Sequence, residues 1–100
     1  MKYLVVRHRV EDYRRWKKIF DDTRPTEADG FGFGRILCDL DEPNVITVIY
    51  EVLDIHKARH FLESRDTAEA MKSAGVSGQP EIYWLDELLQ VPATSHAYVR

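Results

Sequence analysis

The chain has 100 residues, of which 44% are hydrophobic and 31% charged, with a formal net charge of −3. That size and composition fit one domain with one modest core and exclude a globally disordered chain. A single cysteine, Cys38, excludes an intrachain disulfide and makes a reducing interior the expected setting. No stretch approaches the roughly 20 apolar residues of a membrane span, and the apolar run after Met1 is too short for a signal peptide. A soluble, cytoplasmic protein is expected. Arg14, Arg15, Lys17 and Lys18 interleave with Tyr13, Trp16 and Ile19 at helical spacing. This pattern marks the solvated face of an amphipathic helix rather than a nucleic-acid site.

Tyr3 to Val10 is β-branched and aromatic, and reads as a first strand. Asp12 then has the character of an N-cap, and Tyr13, Trp16, Ile19 and Phe20 recur at helical spacing behind it. Pro25 interrupts that helix or starts a second short one, and Gly30 suits a C-terminal cap. Phe33 to Asp39 reads as the second strand and Val45 to Leu53 as the third. The turn between them, Asp39 to Asn44, predicts a hairpin.

Asp54 caps a second helix with Ile55, Ala58, Phe61 and Leu62 on one side. Ser64 opens a further helical segment with Asp66 in its first turn, an apolar side of Ala68, Met71 and Ala74, and Gly75 at its end. Glu81 to Leu85 reads as the fourth strand. The expected domain covers residues 1–89, followed by a loose tail over 90–100.

The order β-α-β-β-α-β is the signature of an α+β, ferredoxin-like sandwich with an antiparallel sheet. Strand alternation sets Ile46, Val48, Tyr50 and Val52 against Val45, Thr47 and Ile49 in the third strand. The first strand sets Leu4, Val6, His8 and Val10 against Tyr3 and Val5, and the fourth sets Ile82 and Trp84 against Tyr83 and Leu85. Both faces are apolar, whereas a half-solvated sheet shows polar residues outside. A second copy of the chain, a homodimer through the sheet face, is the expected cover.

Several runs carry a family likeness. Residues Arg7-His8-Arg9-Val10-Glu11-Asp12-Tyr13-Arg14-Arg15-Trp16 resemble the opening of the dimeric α+β-barrel proteins related to antibiotic-biosynthesis monooxygenases. Asp41-Glu42-Pro43-Asn44 and Tyr50-Glu51-Val52-Leu53-Asp54 resemble the same group. The run from Ala70 to Glu81 is similar to a subgroup of small, mostly uncharacterised members. The likeness implies a dimeric α+β barrel with a small-molecule pocket between the sheet and its helices. Its chemistry stays open, because such proteins include cofactor-free oxygenases, polyketide cyclases, isomerases, haem-degrading enzymes and members without known activity. The haem-degrading relatives use an asparagine, a tryptophan and a histidine where this chain has Val6, Val52 and Met71. Those side chains offer neither the polar contacts nor an iron ligand. Haem degradation is argued against, no cofactor is expected, and quinone-forming oxygenation is weakened.

By the same resemblance the pocket surface carries Val6, His8, Tyr50, Trp84 and Met71 from the core of the fold, with Tyr13, Trp16 and Phe61 from the helices. His8 is the candidate catalytic residue: a titratable ring among Leu4, Val6 and Val10 can accept a proton from a phenol or enol, or orient a carbonyl. The alternative is a structural histidine bonded to a backbone carbonyl or to a partner-chain carboxylate. Tyr50 and Trp84 suit a flat apolar or aromatic ligand, and equally suit plain core packing.

Arg35 fits a pairing with Glu51 or Asp39 better than an anion site. His56 and His60 share a helix face, but Lys57 stands where a zincin has its glutamate, so no metal is expected. The glycines Gly30, Gly32 and Gly34 follow a helix and precede a strand, the reverse of a phosphate loop. Ser64, Ser73, Ser77 and Ser95 lack a nucleophile-elbow context, and Cys38 lacks a cation to stabilise a thiolate. Two readings remain: a non-catalytic dimeric domain with a small-molecule pocket, or a cofactor-independent monooxygenase, cyclase or isomerase acting on a small aromatic or enolisable substrate.

Overall fold

In the computed structural model, which describes residues 1–94, β1 (Lys2–Val10) lies inside a four-stranded sheet of order β2-β3-β1-β4. The other strands are β2 (Phe31–Cys38), β3 (Val45–Val52) and β4 (Val76–Asp86). β1 runs antiparallel to both neighbours, with Leu4 opposite Tyr50 on one side and Trp84 on the other. The hairpin of β2 and β3 is antiparallel too. The expected α+β, ferredoxin-like topology is therefore the observed one. No helix among the described residues is long and apolar enough to cross a membrane.

Three α-helices, α1 (Tyr13–Thr23), α2 (Ile55–Glu63) and α3 (Arg65–Ser73), cover one sheet face. Each starts where the sequence places a cap. The Asp12 carboxylate accepts from the Arg14 N–H at 2.9 Å, Asp54 from Lys57 N–H at 3.1 Å, and Ser64 Oγ from Thr67 N–H at 3.2 Å. Each cap satisfies a donor that the helix cannot satisfy itself, worth roughly 1 kcal/mol. α1 ends because Pro25 forces Arg24 into an extended conformation, and a single 3-10 turn, Glu27–Asp29, follows. Gly30 closes that turn in the left-handed region at φ 90°.

The inward face of the sheet holds Leu4, Val6, His8, Val10, Ile46, Val48, Tyr50 and Val52, all buried. They pack with Trp16 of α1, Ala58 of α2, Ala74 beyond α3, and Phe31. The opposite face presents Phe33, Leu37, Tyr83 and Leu85 as exposed residues. Tyr3, Val5, Thr47 and Ile49 lie half-buried between them. At one end of that face Arg7 meets Glu81 at 3.4 Å and Asp39 at 4.0 Å, while Arg9 meets Glu42 at 3.1 Å.

Three expectations need correction. β2 begins at Phe31, not Phe33. An extra residue between Phe31 and Gly34 makes a bulge, so Phe31 points into the core while Phe33 points out, its N–H donating to the Glu51 carboxylate. β4 begins at Val76, not Glu81. The ladder shifts between Arg7 and Arg9, and Gly78 (φ 70°) to Pro80 falls in this irregularity. At a sheet edge such a bulge tolerates a proline that lacks an N–H. On α3 the exposed Ala68 is replaced in the inward stripe by Thr67 and Ala70, alongside Met71. Residues 90–94 have no regular structure, and the rest of the expected tail, with Ser95, lies outside the described residues.

Candidate functional site

Between the inward sheet face and the three helices lies a cavity of about 310 Å³. Its floor is Leu4, Val6 and His8 of β1 with Val48 and Tyr50 of β3. α1 supplies Trp16, Ile19 and Phe20 as one wall, and α2 and α3 supply Phe61, Leu62, Thr67, Ala70 and Met71 as the other. Thr23, Arg24 and Asp66, all exposed, mark its open end. The lining is overwhelmingly apolar with a few polar groups, the usual make-up of a small-molecule site.

His8 stands in that lining with 6% of its surface exposed. Neither Nδ1 nor Nε2 has a hydrogen-bond partner among the described residues. A bond to a backbone carbonyl of its own chain, one of the two structural alternatives, does not occur among the described residues. Its ring lies 5.6 Å from that of Trp16, tilted by 48°. Burial pushes its pKa below the ordinary 6.5, because an imidazolium here would lose its hydration without gaining a counter-charge. At neutral pH the ring therefore carries one N–H donor and one nitrogen acceptor. Leaving both unmet inside a protein costs on the order of 1–3 kcal/mol per group. The pair is chemically matched to a hydroxyl, which donates and accepts, or to a carbonyl plus a hydroxyl.

Tyr50 lies across the floor from His8's strand, its ring edge-on to Phe31 at 5.5 Å and tilted to Phe20 at 6.5 Å. Burial raises its pKa, while the nearby Arg24 guanidinium pulls the other way, so its hydroxyl remains a donor at neutral pH. Trp16 and Phe20 stack at 4.9 Å, and Phe31 meets Phe61 edge-on at 5.7 Å. The cavity wall is thus a connected aromatic set of defined orientation.

Of the residues expected at a pocket, the structure brings together His8, Tyr50, Met71, Phe61 and Trp16. Tyr13 is exposed and stacks on the outside of Trp16 at 5.9 Å, outside the lining. It sits at the first position of α1, where the helix is still rising from β1. Trp84 also stands outside: it faces the helices from the edge strand β4, and the Arg59 guanidinium covers it 5.2 Å from the ring centre. Phe31, Thr23, Arg24 and Asp66 were not expected. Phe31 was hidden by the glycines around it, and the other three lie at helix ends, where periodicity carries no signal.

Arg35 forms no ion pair among the described residues. Asp39 instead faces Arg7, and two backbone N–H groups, from Glu42 and Asp41, hold its carboxyl below the usual carboxylate range. Glu51 accepts from the Phe33 N–H. Among the described residues no cluster of three His, Cys, Asp or Glu side chains is placed to hold a metal, and His56 and His60 are exposed.

Fold and cavity together define an α+β protein with the fold of the antibiotic biosynthesis monooxygenases. The solved structure of SnoaB, a cofactor-independent oxygenase from Streptomyces nogalater, matches with a TM-score of 0.69 at 18% identity, covering 92% of this chain and 97% of that one. A candidate antibiotic biosynthesis monooxygenase from Bordetella bronchiseptica matches with a TM-score of 0.70 at 16% identity, over 88% of this chain and 97% of that one. A conserved protein from Methanosarcina mazei Go1 matches at 0.65 and 18%, over 87% and 92%. At these identities the likeness establishes the fold alone. The sequence matches no protein-family model, and no curated protein is similar to it in sequence.

Proposed function

We propose that the chain is a homodimeric small-molecule-binding domain whose ligand lies in the cavity between sheet and helices and hydrogen-bonds to His8. The observation that carries this reading is the buried imidazole, with both nitrogens unpartnered among the described residues, in an apolar cavity of about 310 Å³. A ligand with a flat apolar body and one hydroxyl or enol group would match both the aromatic walls and the unmet donor and acceptor. The apolar outward face supports the dimer: Phe33, Leu37, Tyr83 and Leu85 are exposed side by side with Val5 and Ile49. A two-fold pairing of sheets would cover them with one self-complementary surface. A cytoplasmic setting belongs to the same proposal, since the exposed thiol of Cys38 has no intrachain partner.

The neutral imidazole favours one further reading, that of a cofactor-independent oxygenase, cyclase or isomerase in which His8 takes a proton from the substrate. A base whose pKa is depressed by burial is held unprotonated and ready at neutral pH. That SnoaB is a cofactor-independent oxygenase agrees with this reading but does not select it.

Native mass spectrometry of the purified protein tests the main reading. The expected species is a dimer of the 11.7 kDa chain carrying a co-purified small molecule, which His8→Leu no longer retains. A monomer at micromolar concentration, or retention undiminished in His8→Leu, would overturn it. Turnover of the bound molecule by the pure protein would select the catalytic reading.

A further inference from the structure

The cavity has a direction. α1 follows β1 and runs back over the sheet, so Trp16 meets the His8 ring at 5.6 Å and Phe20, one turn on, meets Tyr50 at 6.5 Å. α3 runs the opposite way. Just past its end the Gly75 carbonyl accepts from the Glu11 N–H at 3.0 Å, beside the end of β1. Its 9 residues, at about 1.5 Å each, reach roughly 13 Å back to Asp66 and Thr67. The step along β1 from His8 to Leu4, which stands opposite Tyr50, is also roughly 13 Å at about 3.3 Å per residue. His8 and Trp16 therefore close one end of the cavity, and the last turn of α1 and the first of α3 frame the other.

The two ends differ in chemistry. The closed end offers the His8 imidazole, a neutral donor and acceptor with no partner among the described residues. The open end offers Arg24, just past α1, and Asp66, in the first turn of α3. Arg24 stands close enough to Tyr50 for its charge to act on the phenol. Neither Arg24 nor Asp66 is in an ion pair among the described residues. Asp21, the other charge that acts on Tyr50, is held by Lys17 at 2.7 Å, and Arg65, next to Asp66, reaches Glu69 at 3.9 Å. The mouth thus carries one unpaired cation and one unpaired anion on opposite walls. Between the two ends the lining is apolar, with Val6, Val48, Ile19, Ala70 and Met71.

From this arrangement, and resting on the binding reading above, we propose that the ligand is an elongated molecule polar at both ends. One hydroxyl or enol bonds to His8, and an apolar body follows the floor of the cavity. A second, neutral hydroxyl or amide lies at the mouth, accepting from Arg24 and donating to Asp66. Hydrogen bonds to charged partners are roughly twice as strong as neutral ones. A carboxylate at the mouth would be repelled by Asp66, and an ammonium by Arg24.

The test uses three probes with one biphenyl body: para-phenylphenol, the diphenol para,para′-biphenol, and the acid in which a carboxylate replaces the second hydroxyl. The full-length protein is titrated with each by calorimetry, beside Arg24→Ala/Asp66→Ala and His8→Leu. Arg24 and Asp66 are exposed, so the double variant keeps the core intact. The diphenol should bind about tenfold more tightly than the monophenol, the gain of one charge-assisted contact. The double variant should remove that advantage and leave the monophenol within about twofold of its original affinity. The acid should bind more weakly than the diphenol. Equal affinity for the two phenols, or an advantage that survives in the double variant, overturns the second anchor while leaving the binding reading in place. An acid that binds as tightly as the diphenol overturns the neutral character of the mouth group. Failure of all three probes to bind the unaltered protein, or undiminished diphenol affinity in His8→Leu, overturns the binding reading and this inference together.

Discussion

The ring of Tyr50 occupies the space that a side chain on Gly34 would need. The two are directly opposed across β2 and β3, and a Cβ on Gly34 would fall 2.7 Å from Tyr50 Cζ. Glycine here makes room for an aromatic neighbour that lines the cavity. Gly34→Ala must push the ring aside or bend the edge strand. Overpacking of this kind costs typically 1–3 kcal/mol. The urea midpoint should fall with an unchanged m-value, and retention of the co-purified molecule should weaken in the same variant. An unchanged midpoint would mean that Tyr50 moves without resistance.

His8 links pH to stability in a defined direction. Its folded-state pKa lies below the unfolded value of about 6.5, so below that pH the unfolded chain binds more protons than the folded one. The stability that the neutral ring allows is complete above pH 6.5 and is lost as the pH falls towards the depressed value. Wild type should therefore lose melting temperature between pH 7.5 and 5.5 more steeply than His8→Leu. Parallel slopes for the two proteins would show that His8 does not titrate differently in the folded state. Asp39, held low by the N–H groups of Asp41 and Glu42, acts in a separate window, below its ordinary 3.8.

Phe31 is 1% exposed and joins Tyr50 and Phe61 through edge-on contacts. Phe31→Ala should cost about 3–5 kcal/mol, from lost transfer free energy and the void left behind. For a domain of this size that is a large share of a total of roughly 5–15 kcal/mol. Phe33→Ala, two residues on and exposed, should cost well under 1 kcal/mol in a monomeric unfolding measurement. Chemical denaturation of the two variants separates the inward from the outward position, and equal losses would contradict the bulge between them.

The outward face carries its own prediction. Val5 and Ile49 are cross-strand neighbours at its centre, and Tyr83 flanks Val5 on the other side. Val5→Glu with Ile49→Lys places charges where the proposed dimer is driest, at a cost of several kcal/mol to association. Sedimentation velocity should show the dimer of the wild type replaced by a folded monomer. A variant that sediments like the wild type would move the interface elsewhere.

Much of the architecture was legible along the chain because its signals are local. Asp12, Asp54 and Ser64 announce three helices through the unsatisfied N–H groups they cap, and alternation in β1 and β3 sorts residues into two faces, of which only the family resemblance indicated the one against the helices. The same logic placed His8 on a buried strand beside Leu4, Val6 and Val10. It failed at Phe31 and over residues 76–80, where bulges break the two-residue period.

What the sequence determined by itself is which side chains share a face within each regular strand and helix, since that grouping follows from backbone period. Which inward residues border empty space was decided only in three dimensions. Tyr13 and Phe20 belong to one helical pattern, yet Phe20 lines the cavity and Tyr13 is left at its outer rim. Trp84 faces the helices and is sealed by Arg59, a contact between elements 25 residues apart in number but adjacent across the sheet edge. That both nitrogens of His8 lack a partner among the described residues, beside an open cavity, depends on the spacing of helices over the sheet. No local preference encodes that spacing; it is set by how the large side chains of the core pack together.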